Sequence, residues 1–104
     1  MIQIPLDAIP NQSLSIRLDN HFYNIIIKSP LNVPCATIVR DNVEIISNFR
    51  IVGGSLILPY RYLENNAGNF ILLTSNEDLP EYTKFGISQT LLFISDSELG
   101  AFRA

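Results

Sequence analysis

Hydrophobic and polar residues alternate along most of this chain, the period-two signature of strands with one wet face. Leu14, Ile16 and Leu18 alternate with Ser13, Ser15 and Arg17. Asp19-Asn20-His21 comes next, and Asp and Asn tolerate left-handed backbone angles, so a tight turn is predicted there. Residues 22–28 read as the returning strand, rich in β-branched Ile25, Ile26 and Ile27. A loop at 29–34 holds Pro30 and Pro34, after which 35–40 alternates again, with Ala36 and Ile38 facing opposite to Thr37 and Val39. Asp41-Asn42 predicts a second hairpin turn into 43–46. Residues 49–52 continue extended until Gly53-Gly54, a pair that enters a turn cheaply.

The second half is less regular. Residues 56–58 predict a short strand stopped by Pro59, and 60–63 fit either a strand end or one turn of helix. A loop at 64–68 leads to a strand at 69–75, then to a long polar loop at 76–86 holding Pro80, Tyr82 and Phe85. The last predicted strand is 89–95. Ser95-Asp96-Ser97-Glu98 matches a capping box, a hydroxyl acceptor with a carboxylate three residues on. It signals a short C-terminal helix with Leu99 and Phe102 on one side, too short to hold without docking. Seven or eight short strands at intervals of roughly ten residues predict an all-β domain, a small antiparallel β-sandwich or barrel. No repeat, linker or low-complexity segment divides it, so 1–104 is read as one domain.

Composition sharpens this picture in one respect. A 104-residue chain is expected to expose about 5,900 Å² when folded, against roughly 17,000 Å² unfolded. Yet 47% of its residues are hydrophobic and only 16% are charged, where about 25% is usual. A surface so poor in charge implies cover by a partner, as in an assembly subunit. Ten acidic residues against seven basic ones give a net charge of −3, and the basic residues are scattered from Arg17 to Arg103 without a cluster. Nucleic-acid binding needs several Lys or Arg on one face and is therefore not expected.

Chemistry is sparse. His21 is the one histidine and sits at a predicted turn; Cys35, the one cysteine, sits in an alternating strand and reads as a small half-buried hydrophobe. Neither has partners at the spacing of a catalytic or zinc site. Glu77, Asp78 and Glu81 share one loop, but Leu79-Pro80 interrupts any calcium-ligand spacing, so a solvated acidic loop is expected. Gly53-Gly54 lacks the lysine and helix of a phosphate cradle. No enzyme activity, cofactor, metal or small-molecule substrate is expected. The opening Met1-Ile2-Gln3-Ile4-Pro5 is not a secretory signal, and the longest aliphatic or aromatic run, 91–94, cannot span a bilayer. The expected site is an interface instead. Pro59, Tyr60, Arg61, Tyr62 and Leu63 pack two tyrosines and an arginine into five residues, types enriched at hot spots. Tyr82 and Phe85 form a similar stretch, and Leu99 and Phe102 complete the candidates.

The order of these segments resembles the small baseplate plug proteins of contractile-tailed phages, first described structurally in a cyanophage. The resemblance runs over nearly the whole chain. It starts at Ile4-Pro5-Leu6-Asp7-Ala8-Ile9-Pro10-Asn11-Gln12 and passes through Phe22-Tyr23, Leu58-Pro59-Tyr60-Arg61-Tyr62-Leu63 and Gly68-Asn69-Phe70. It closes with Leu79-Pro80-Glu81-Tyr82-Thr83-Lys84-Phe85-Gly86 and Leu91-Leu92-Phe93-Ile94. The resemblance implies a virion structural protein at the central hub of a tail, joining or sealing tube and spike. Partners would be tube, hub and spike proteins and copies of itself, met in the host cytoplasm during assembly. Closed rotational symmetry, threefold or sixfold, is expected of such a hub. Residues 98–103 read as an arm particular to this chain, one that could lie on a neighbouring subunit. The alternative class is a carbohydrate- or peptide-binding β module of a phage tail.

Overall fold

A computed structural model describes residues 1–75 and 78–103. Among the described residues, seven strands form two antiparallel sheets: β1 (Ile2–Ile4), β2 (Gln12–Leu18), β3 (His21–Lys28), β4 (Cys35–Arg40), β5 (Val43–Arg50), β6 (Gly68–Leu73) and β7 (Thr90–Ser95). One sheet is the meander β2-β3-β4-β5; the other has the order β1-β7-β6. They face each other as a small β-sandwich. The accessible surface is 5944 Å², in line with the size-scaled expectation.

The meander follows from its turns. Asp19-Asn20 and Asp41-Asn42 all have positive φ, 50° and 67° then 51° and 67°, the two-residue geometry whose twist matches the flanking strands. His21 begins β3 rather than lying in the turn. Alternation then sends Tyr23, Ile25 and Ile27 inward from β3, and Ala36 and Ile38 inward from β4, every one of them buried. Opposite them lie Ile4, Phe70, Leu72, Leu91 and Phe93 of the small sheet. Tyr23, Phe70 and Phe93 pack ring against ring, with centroids 5.3 to 5.8 Å apart.

The small sheet is covered on both faces, which is why residues 70–72 of β6 read as an apolar run rather than an alternation. On its outer face, Ile71 and Ile94 pack against Leu99 of a C-terminal helix, α2 (Asp96–Arg103). The capping box forms: the Ser95 amide and hydroxyl donate to Glu98 Oε1 at 3.1 and 3.0 Å. The helix therefore docks on its own chain, not on a neighbour as the arm reading allowed. Buried Leu99 supplies the contact that two turns of helix need.

Three expectations change at the boundaries. Residues 56–58 form no strand: Leu56 makes one bridge to Ile71, and the Ile57 amide donates to the Phe70 carbonyl at 2.8 Å. Residues 61–64 form a single helical turn, α1 (Arg61–Glu64), resolving the ambiguity there. The strand predicted over 69–75 ends at Leu73, and the long loop carries a turn of 3-10 helix at Tyr82–Lys84. Glu77 lies outside the described residues.

Candidate interaction surface

The aromatic stretch at 59–63 is held from below by buried polar groups. Leu58, itself buried, is clamped by the Asn69 side chain: its amide donates to Asn69 Oδ1 at 2.8 Å, and its carbonyl accepts from Asn69 Nδ2 at 2.9 Å. Asn69 Nδ2 also donates to Glu64 Oε2 at 2.6 Å. Glu64 is 3% exposed, a position a carboxylate takes only when paired. The Arg103 guanidinium supplies the pair as a two-pronged clasp, Nη1 to Oε1 at 2.9 Å and Nη2 to Oε2. From β4, Arg40 reaches the end of α1, donating to the carbonyls of Glu64 at 3.0 Å and Leu63 at 3.3 Å. A cation there satisfies carbonyls that the helix leaves unpaired. Asn65 ends the turn in the left-handed region, φ 46°.

Above this base, Tyr60 and Tyr62 stand out from the surface, 59% and 75% exposed. Their rings stack on each other, with centroids 5.6 Å apart and planes 9° from parallel. Extended Tyr60 precedes the helical turn, and that change of backbone direction brings two residues of spacing two to one side. Pro59 and Arg61 are exposed beside them and Leu63 is half-buried. Phe102, on the last turn of α2, is 46% exposed. Tyr82 is half-buried against the core. Phe85 and Leu99 are each 1% exposed and serve the interior, so neither is presented at the surface of the folded chain.

The remaining candidate groups are structural ties. His21 Nδ1 lies 2.6 Å from Asp41 Oδ2, and the Phe22 amide donates to Asp41 Oδ1 at 2.9 Å, joining the two hairpin turns. The His21 contact first, and the Phe22 amide second, hold the Asp41 carboxyl below its usual range. Half-buried Cys35 turns its thiol toward the Val33 carbonyl at 3.6 Å. In the acidic loop, Asp78 and Glu81 face Lys84 at 3.1 and 3.8 Å, so this charge is answered by an ammonium group.

A comparison with known protein families matches residues 1–97 to the family described as cyanophage baseplate Pam3 plug gp18. The chain belongs to this family. No curated protein gives a significant match. Membership makes the protein a bacteriophage baseplate component, in a family with a structural role. Most of α2, from Glu98 onward, lies beyond the matched residues, yet in this baseplate plug it provides the arginine that neutralises Glu64.

Two features escaped the sequence reading. The Arg40, Glu64, Asn69 and Arg103 network joins residues up to 63 positions apart (103 − 40), and only buried Asn69 inside an apolar strand offered a local signal. The second is an apolar patch at the other end of β6. Val52, Leu73 and Leu79 are 55%, 45% and 76% exposed around a groove of about 370 Å³ that Gly53, Thr74, Asp78 and Pro80 also line.

Proposed function

We propose that this plug-family chain is a structural subunit of a contractile phage tail baseplate. It sits at the central hub and joins or seals tail tube and spike through subunit–subunit contacts. The observation carrying the reading is the outward-facing Tyr60–Tyr62 stack, held on a buried base, in a member of a baseplate plug family. Tyrosine contributes much contact area with little side-chain entropy to lose, and a pair already stacked loses less still on docking. Phe102 and the Val52, Leu73 and Leu79 patch give further apolar surface for neighbours to cover, as the charge-poor composition requires. The partners are tube, hub and spike proteins, met in the host cytoplasm during assembly; no cofactor takes part.

The test is assembly. Tyr60→Ala and Tyr62→Ala should each lower incorporation into tails while the isolated chain keeps its circular dichroism and melting temperature. Truncation of a hot-spot tyrosine costs about 2 kcal/mol or more at an interface, a loss of roughly thirtyfold in affinity. Normal incorporation of both variants would remove this surface from the interface. Quantitative mass spectrometry of washed particles tests the place: a hub predicts a low, fixed copy number in multiples of about three.

A further inference from the structure

A β-sandwich has four sheet edges, and unprotected edges invite pairing with other chains. Among the described residues, three of the four edges are blunted or covered. β1 is only three residues long and runs into Pro5. Residues 54–57 cover β6: Gly54 N–H donates to the Leu72 carbonyl at 2.9 Å and Ile57 N–H to the Phe70 carbonyl at 2.8 Å. β5 breaks register with β4 twice, and Asn48, at φ 48°, turns its amide back to Thr37 Oγ1 at 2.9 Å. Such bulges twist an edge away from pairing.

The edge formed by β2 is different. Its seven residues pair with β3 in unbroken register and contain no proline, lysine or bulge. The two-residue turn makes Leu18 and His21 the closing hydrogen-bonded pair, so residues 12, 14, 16 and 18 bond to β3. The amides and carbonyls of Ser13, Ser15 and Arg17 then point away from the sheet. Among the described residues, none of these six groups has a backbone partner. Leu14 and Ile16 face the core yet are only half-buried, so the flank of the core is open along this edge.

We propose that β2 pairs with β2 of a second copy of this chain, antiparallel about a twofold axis through Ser15. That register sets Ser15 opposite Ser15 and Ser13 opposite Arg17, and it satisfies all six outward backbone groups. On the core-facing side it sets Leu14 opposite Ile16 and covers both. Arg17 meets a serine, so no like charges are opposed. The pairing joins two four-stranded meanders into one eight-stranded sheet.

Sedimentation velocity over a concentration series, with amide hydrogen exchange on the same samples, tests it. The wild-type chain should pass from 11.7 kDa to twice that mass, with the Ser13, Ser15 and Arg17 amides gaining protection as it does. Ser15→Pro removes an amide that faces solvent in the monomer, so the fold should survive while dimerisation weakens by about thirtyfold. Ser15→Lys, which opposes two ammonium groups across the axis, should do the same. The proposal is overturned by a wild-type chain that stays monomeric, including one whose β2 pairs only with another protein's strand. It is equally overturned by dimers that persist in both folded variants.

Discussion

Asn69→Ala is the most informative single change in this chain. The side chain is fully buried and makes four hydrogen bonds: with the Leu58 amide and carbonyl, with Glu64, and with the Phe70 amide at 2.7 Å. Each neutral bond contributes about 1 kcal/mol net and the bond to a carboxylate about 1.5–3 kcal/mol; alanine also leaves buried partners unsatisfied. The two Leu58 bonds and the Glu64 bond alone give about 3.5 kcal/mol, and 3–5 kcal/mol is the expected loss. In urea, with a slope of about 2 kcal/mol per molar, the midpoint should fall by roughly 2 M. Melting should drop by about 12–20 °C, from roughly 4 °C per kcal/mol at this chain length. Asn69→Asp sharpens the test. It keeps the acceptor for Leu58 but loses the donor and places a second carboxylate against Glu64, so near neutral pH it should cost at least as much as alanine. A loss below about 1 kcal/mol in both variants would refute the reasoning, because it would mean that water replaces Asn69 at no cost.

Four further outcomes follow from named contacts. Glu98 has its carboxyl lowered to about 2, first by the Met1 ammonium and then by the Ser95 amide and hydroxyl. A folded-state value below the ordinary 4.5 stabilises the fold above that pH, and this stability is lost between about 4.5 and 2. Acid titration of Glu98→Gln should therefore lack that part of the wild-type decline. Gly68, at φ +138°, would place a Cβ 2.7 Å from both the Ile94 carbonyl and the Phe93 ring, so Gly68→Ala should destabilise by more than about 2 kcal/mol in urea. Leu99→Ala should cost about 2–4 kcal/mol and free α2, raising amide exchange there before the sheets respond. Tyr23→Phe should change stability by less than about 1 kcal/mol or raise it, since the buried hydroxyl lies toward Arg40 without hydrogen-bond geometry. The same burial pushes that phenol above its usual range.

The meander could be read from the sequence because its information is local. Ser13 to Leu18 alternates cleanly, and Asp-Asn pairs stand where two-residue turns need positive φ. In the small sheet β6 and β7 were read to within two residues at each end, but β1 was not, because it joins β7 from the far end of the chain and three residues carry almost no periodic signal. Residues 56–58 look like a strand but lie along β6 with a single bridge, held by Asn69 instead of a ladder. At the surface, Tyr60 and Tyr62 were legible from residue type alone. Phe85 was not, because a polar loop folds back and takes that ring into the core. Glu64 looked like an ordinary loop carboxylate, and only the arrival of Arg103 from α2 makes its burial tolerable.

The pairing of β1 with β7, Ile2 opposite Phe93 and Ile4 opposite Leu91, has a kinetic consequence. The four-stranded meander closes through two two-residue turns and one six-residue loop, 29–34, and can form early, since each step orders few residues. The small sheet closes only when the two ends of the chain meet, a loop whose entropy must be overcome late. Substitutions at Ile4 should then accelerate unfolding and leave the folding rate almost unchanged, while substitutions at Ile25 or Ile38 should slow folding itself. Under force or thermal stress, the strand formed last would be the first to leave.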